Sequence, residues 1–368
     1  MKITCQQQDL SKALNTVQKA VTNRTTIPIL KGIYLNADND GILQLAASDL
    51  DLNIEKKISV SVNAPGSIVA SAKLFTEIIR KLPEGVITIE VIDKNILIKS
   101  YNSEFTIIGQ SPDDFPEINK TQTHENIVID KEIFKNMIKQ TSFSASIDES
   151  RGIITGVLIE FSKDSINMVA LDGFRMAIRT EKINNDIDKK IIIPSRILNE
   201  IYKIIIDQEE KNINILLNEK NIIIEIENTV ITSRLMEGDF INYKEIIPKN
   251  YTCKIKLNKN DLYNSIERAS LLAREGKNNL IKIKIEDKKM IITSRSEEGA
   301  VHEEVYIEKE GDELEIGFNS KYILDILRNI EDEEIYFEFI SNISPCLVRP
   351  LDGFKYEYLL LPVRISVN

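Results

Sequence analysis

Histidine is almost absent from the chain. His124 and His302 are the only two in 368 residues, one in an expected linker and one among glutamates, and they lack the i, i+4 spacing of a helical metal pair. Cysteine is nearly as scarce. Cys5, Cys253 and Cys346 are far apart, odd in number and in no CxxC pair, which fits buried thiols in a reduced cytoplasm rather than a disulfide framework. Proline (10) and glycine (14) are too few for a disordered chain. No apolar run approaches the roughly 20 residues that span a bilayer, and Met1-Lys2-Ile3-Thr4-Cys5 opens as strand, not as a signal peptide. There is no P-loop, no GxGxxG and no GxSxG. Asp49 and Asp51 are explained by alternation along a strand or turn better than by a metal. No catalytic residue, metal or cofactor is therefore expected, and the net charge of -10 argues against a surface that binds nucleic acid everywhere.

What the chain has is repetition. Asp9-Leu10-Ser11-Lys12-Ala13-Leu14, Ile133-Phe134-Lys135-Asn136-Met137-Ile138 and Asp261-Leu262-Tyr263-Asn264-Ser265-Ile266 each open a helix after a short alternating strand. A second helix follows each about 60 residues later, at Lys73, Arg196 and Lys321. The chain reads as three copies of one α+β domain. Each copy runs strand, helix, three strands, helix, three strands, and is long enough to bury its own core. Helices are expected at 7–20, 73–82, 131–141, 195–205, 259–272 and 320–329. Strands include Asn53–Val62, and Asp93-Lys94 and Asn218–Asn221 are read as tight turns. Boundaries fall after the Pro-punctuated stretches at 114–117 and 246–250, giving domains at 1–121, 122–249 and 250–368.

Charge separates by element. The six expected helices carry a net +7, which leaves -17 on everything else. Helical Lys and Arg are good helix formers on a solvated face. They would equally suit one shared surface meeting a polyanion.

The threefold period, together with Arg24-Thr25-Thr26-Ile27-Pro28-Ile29-Leu30, Ala170-Leu171-Asp172-Gly173-Phe174-Arg175-Met176, Asp239-Phe240-Ile241-Asn242-Tyr243 and Leu359-Leu360-Leu361-Pro362-Val363-Arg364, resembles the bacterial DNA polymerase III beta subunit family, the sliding clamps, over essentially the whole chain. The resemblance implies three clamp domains of order βαβββαβββ, with helices on one face of antiparallel sheets, in a head-to-tail homodimeric ring. Twelve helices about 9–10 Å apart make a circle roughly 36 Å across; less one helix diameter of about 11 Å, the hole is about 25 Å. That admits double-stranded DNA, held by topology and sequence-blind phosphate contacts.

The same resemblance implies the residues. DNA-facing positions are Arg24, Lys73, Arg80, Lys139, Arg196 and Lys321. The loop 148–153, DNA-facing in the family, here reads Asp148-Glu149-Ser150-Arg151-Gly152-Ile153, and its carboxylates repel phosphate. A cleft for short partner peptides uses Ile154, Leu171, Gly173, Phe174, Arg175, Met176, Ile241, Ile246, Asn319, Tyr322, Ile343, Pro345, Leu360, Pro362, Val363 and Arg364. Read from the residues alone, the aliphatic members are ordinary core and Asp172-Gly173 a plain turn. Phe174 stands where His is frequent, Ile241 where Pro is, Glu245 where a base is, and Ser366-Val367-Asn368 extend the usual end. The dimer seam sets Ile78, Leu82, Phe105 and Ile107 against Leu271 and Leu272, with Lys73 and Lys81 facing Glu297, Glu298, Glu303 and Glu304. Expected partners are the DNA polymerase III catalytic subunit, the clamp loader and other proteins with clamp-binding peptides, with no membrane. The competing reading is a protein-binding scaffold of threefold symmetry that does not encircle DNA.

Overall fold

A computed structural model describes residues 1–22, 25–116, 125–185 and 187–365. The first third is β1 (Lys2–Gln6), α1 (Gln7–Val17), β2 (Gly32–Ala37), β3 (Ile42–Ser48), β4 (Leu52–Ser59), β5 (Ser61–Ala64), β6 (Gly66–Ser71), α2 (Ala72–Lys81), β7 (Val86–Ile92), β8 (Asn95–Ser100) and β9 (Ser103–Ile108). The second is β10 (Glu125–Asp130), α3 (Lys131–Thr141), β11 (Gly156–Ser162), β12 (Ser165–Leu171), β13 (Arg175–Lys182), β14 (Lys189–Pro194), α4 (Ser195–Ile205), β15 (Asn212–Leu217), β16 (Asn221–Ile226) and β17 (Thr229–Arg234). The third is β18 (Cys253–Asn258), α5 (Lys259–Ala273), β19 (Leu280–Ile285), β20 (Lys289–Ser296), β21 (Gly299–Tyr306), β22 (Glu308–Gly311), β23 (Leu314–Asn319), α6 (Ser320–Asn329), β24 (Glu334–Phe339), β25 (Cys346–Pro350) and β26 (Tyr356–Leu360).

Two features refine the expected order. A strand leads straight into each second helix (β6, β14, β23), so every domain is two βαβββ halves. The strand expected over Asn53–Val62 breaks at Val60, whose N–H turns to the Gly41 carbonyl at 2.8 Å. Before the break β4 pairs with β3; after it β5 crosses to β1 in another sheet. The first helix also tightens after Val17 into a 3-10 turn over Gln18–Ala20.

Helices form where apolar residues recur at helical spacing, and in α5 and α6 a side chain caps the start. In α6, Ile323, Leu324, Ile326 and Leu327 are buried, and Asn319 accepts the Lys321 N–H at 3.0 Å. In α5, Asn258 does the same for Asn260 and Asp261. The Asp93 turn has φ +57°, and Asn218 Oδ1 accepts the N–H groups of Lys220 and Asn221, so both expected tight turns form.

The chain makes two compact units, Met1–Glu132 with Glu200–Leu235, and Ile133–Asn199 with Met236–Asn368. In the first, one sheet runs β5-β1-β7-β8-β9 and another β10-β15-β16-β17-β4-β3-β2-β6. The second sheet joins two domains where β17 pairs with β4, from Thr229↔Lys56 to Ser233↔Leu52. In the second unit, the sheet β14-β11-β12-β13-β26-β25-β24-β18-β22 joins two domains where β13 pairs with β26, from Arg175↔Leu360 to Arg179↔Tyr356. A four-stranded sheet, β21-β20-β19-β23, completes that unit. In the third domain α5 and α6 bury Leu262, Ile266, Ile323 and Leu327 against strand residues such as Ile283, Ile292, Phe337 and Tyr358.

Candidate functional site

The β12–β13 turn organises the expected cleft. Gly173 takes φ +87°, a region open to glycine at little cost. Asp172 Oδ1 accepts the N–H groups of Phe174 (2.9 Å) and Arg175 (3.0 Å), which locks the turn. Arg175 then leaves β13 at the join with β26 and spends its guanidinium on three groups. Nε donates to Asp172 Oδ2 at 3.0 Å, Nη1 to Asp325 Oδ2 of α6 at 2.7 Å, and Nη2 to the Phe143 carbonyl at 2.8 Å. Its Cζ also lies 4.6 Å from the Tyr322 ring centroid. Arg175 is only 9% exposed, so it braces the cleft from behind. Phe174, 53% exposed, stacks on Tyr322 at 6.2 Å, and burial raises the Tyr322 phenol above its ordinary pKa.

Beside this turn Ile154, Leu171, Met176, Leu347 and Leu359 form one buried cluster with Tyr243. Ile153, Met236, Phe240 and Ile247 are packed half-buried against it; sequence reasoning passed over all four, although Phe240 stood inside a quoted motif. Tyr243 pins the 236–249 loop. Its hydroxyl donates to Glu160 Oε2 at 2.6 Å, and Lys190 and Lys244 lie 2.9 and 3.6 Å from the same carboxylate. Burial works to raise the Glu160 pKa, but the hydrogen bonds from Tyr243 and Lys190 outweigh it and the net shift is downward. Ile241 and Ile246 on this loop, like Ile343, are exposed.

The C-terminal segment closes the constellation. Leu360 is fully buried in β26. Beyond it the Leu361 N–H donates to the Phe174 carbonyl (2.9 Å) and the Val363 N–H to the Gly317 carbonyl (2.8 Å). A Cβ on Gly317 would sit 2.8 Å from the Val363 oxygen, so glycine is what lets this segment lie on β23. Pro362, Val363 and Arg364 follow from that placement; Asn319 is the α6 cap; Pro345 is half-buried. Ser366, Val367 and Asn368 lie outside the described residues.

Of the expected DNA-facing cations, Arg24 lies outside the described residues. Lys73, Arg80, Arg196 and Lys321 are exposed on their helices. Lys139 is half-buried with Glu331 at 3.9 Å, so its charge is partly matched. In the loop 148–153 Asp148 accepts from Ser150, which lowers its pKa, and Arg151 donates to the Asp172 carbonyl.

The expected seam residues divide. Leu82 (7%) and Ile107 (8%) are buried against their own unit, and Ile78 is half-buried. Phe105 (41%) and Leu271 (62%) are open, Leu272 is half-buried, and Ile108, not named from sequence, is 78% exposed at the end of β9. Two of the four rim glutamates already have partners: Arg268 Nε donates to Glu303 at 2.8 Å, and Lys289 to Glu304 at 2.8 Å. Both carboxyls are lowered in pKa by those hydrogen bonds. His124 lies outside the described residues; His302 is on β21. Asp49 Oδ1 accepts the N–H groups of Asp51 and Leu52, a turn role, and among the described residues no group of three His, Cys, Asp or Glu could hold a metal.

Three repeated domains joined edge to edge, with the Arg175–Asp172–Asp325 cluster bracing an exposed turn at one joint, define a modular protein of the clamp class. The chain matches sequence models of the DNA polymerase III beta subunit: its N-terminal domain over residues 1–119, central domain over 128–242 and C-terminal domain over 244–364. It is 36% identical to the beta sliding clamp of Bacillus subtilis (strain 168), over 99% of this chain and 100% of that one. The crystal structure of the DNA polymerase sliding clamp from Bacillus subtilis superimposes with a TM-score of 0.95 over 100% of both chains. That of the DNA polymerase III beta subunit from Thermotoga maritima, 26% identical, gives 0.94 over 99% and 100%. The chain belongs to the DNA polymerase III beta subunit family. It is a DNA sliding clamp, a processivity factor rather than a catalyst.

Proposed function

We propose that two copies close head to tail into a ring around duplex DNA, and that the cleft ties the polymerase catalytic subunit, the clamp loader and other peptide-bearing partners to it. One observation carries this reading. The chain makes the same joint twice within itself: the last strand of the second domain pairs with β4, and the last strand of the third pairs with β13. The equivalent strands whose outer edges are still open among the described residues are β9, the last of the first domain, and β21, which corresponds to β4 and β13. Both end their sheets. An open edge carrying exposed Phe105 and Ile108 is a pairing surface, and a second copy supplies each edge with its counterpart. The domains are 1–121, 122–249 and 250–368.

Lys73, Arg80, Arg196 and Lys321 supply the exposed positive charge on the helices, against an overall charge of -10. Such contacts hold phosphates without reading sequence and exchange as the ring moves. The cleft takes a short extended segment with bulky apolar anchors, seated on Met176 and Leu171 and flanked by Phe174, whereas Leu360, expected among the cleft residues, is spent in the core of the third domain.

Retention on DNA tests the ring. Loaded protein should remain on a nicked circle in high salt and run off the same DNA once it is cut. Equal loss from circular and linear DNA would refute encirclement and leave the protein-only scaffold. Molar mass in solution should be about twice 42.0 kDa.

A further inference from the structure

The two joints inside the chain dictate the register of the joint between copies. In each domain the residue just before the second helix fixes the count: Gly32↔Ser71, Gly156↔Pro194 and Leu280↔Asn319. Three residues on, the ladders run Leu35↔Leu45↔Lys56, Ile159↔Met168↔Arg179 and Ile283↔Ile292↔Glu303. Lys56, Arg179 and Glu303 therefore hold one equivalent position. Lys56 faces Thr229 and Arg179 faces Tyr356, each the first residue of its strand. The matching residue of β9 is Ser103, which closes its hairpin on Ser100 as Thr229 closes on Ile226. With Ser103 opposite Glu303, antiparallel counting puts Glu104 opposite His302 and Phe105 opposite Val301.

We infer that at each junction between copies Glu104 of one lies directly across from His302 of the other, and that this pair makes ring closure proton-linked. The inference rests on the proposed ring. At the two internal joints the same position holds Val230 against Glu55 and Glu357 against Ile178. Only the third joint sets a carboxylate against an imidazole. The side chains suit the contact: both are exposed, and directly opposed residues on one sheet face have Cβ atoms about 4.5–5.5 Å apart.

The neighbouring charges decide the sign. On β21, Glu304 Oε1 lies 3.3 Å from His302 Nε2 and is held by Lys289 of β20 at 2.8 Å. Thr293, opposite His302 on β20, is uncharged. Glu303 is engaged by Arg268 of α5. On the facing copy, Glu104 has Lys99 of β8 at 3.1 Å. Each carboxylate near the imidazole has its own lysine, so closure adds a second carboxylate beside His302 together with one more distant ammonium. A protonated imidazole gains from that and a neutral one does not, so acid favours the closed ring and the contribution disappears as pH rises.

Dimer dissociation of the full chain, measured at low salt from about pH 5.5 to 8, tests this. An exposed ion pair changes an equilibrium about two- to fivefold and two junctions close per ring, so the wild-type dissociation constant should rise about four- to twenty-five-fold with pH. His302→Gln and Glu104→Gln should each flatten that rise. The only other imidazole in the sequence is His124. A dimer whose pH dependence persists in either variant, or is absent in wild type, overturns the pair and leaves the ring intact. Monomer at every pH overturns the ring itself.

Discussion

Arg175 on β13 and Asp325 on α6 meet at 2.7 Å, joining two domains at a point 9% exposed to solvent. The same guanidinium holds Asp172, which shapes the turn presenting Phe174. A buried pair of this kind matters most when broken, because Asp172 then loses its counter-charge and Asp325 keeps only Arg328, 3.8 Å away. Arg175→Ala should cost about 3–5 kcal/mol in denaturant unfolding of the second unit and should weaken peptide binding through the Phe174–Tyr322 wall. Unchanged stability would contradict the bracing role.

Met176, at 3% exposure, would lie under a peptide in the proposed cleft. Met176→Ala should lower peptide affinity while the molar mass stays that of the dimer. Fluorescence anisotropy of a labelled clamp-binding peptide reads the first and light scattering the second.

Tyr243 and Glu160 anchor the loop that carries Ile241 and Ile246. Tyr243→Phe removes a hydrogen bond to a charged group, worth about 1.5–3 kcal/mol, and should speed hydrogen exchange across residues 236–249. Glu160 has a lowered pKa in the fold. Its contribution is therefore complete above the unfolded carboxyl value of about 4.3 and fades as pH falls through the lowered value. Protection factors in this loop should fall in acid for the wild type, with Glu160→Gln already poorly protected at neutral pH. Identical exchange in both proteins would remove Glu160 from the anchor.

Gly317→Ala should lift the Val363–Ile365 segment, because the added methyl meets the Val363 oxygen at 2.8 Å. Backbone adjustments of this kind cost about 1–3 kcal/mol, and peptide affinity should fall several-fold. In a chain ending at Leu361 the same substitution should have no further effect on the peptide; an additive loss would mean Gly317 acts elsewhere.

Lys73, Arg80 and Lys321 have no ion-pair partner among the described residues. Each alanine substitution should reduce the salt slope of DNA binding by about one and shorten residence on circular DNA, and those at Arg80 and Lys321 should leave the dimer mass unaltered. A slope unchanged in all three would place the DNA path elsewhere.

The repeat and the helices were legible in the residues alone, whereas the aliphatic members of the proposed cleft read as ordinary core until the family resemblance set them apart. Apolar spacing and caps are local, and the helices at 131–141, 195–205 and 320–329 formed as the periodicity predicts. The sequence did not reveal the strands before each second helix, because short runs such as Gly66–Ser71 carry no alternation distinct from a loop. Nor could it show that Val60 breaks a strand, since that depends on pairing with β1, as far away in sequence as Ile3 is from Val62. Long-range packing makes Arg175 a brace, spends Leu82 and Ile107 on their own unit and leaves particular strand edges open. Those outcomes depend on which side chains compete for the same buried space and the same hydrogen-bond partners. That competition is between residues as far apart as Arg175 and Asp325, and no local pattern encodes it.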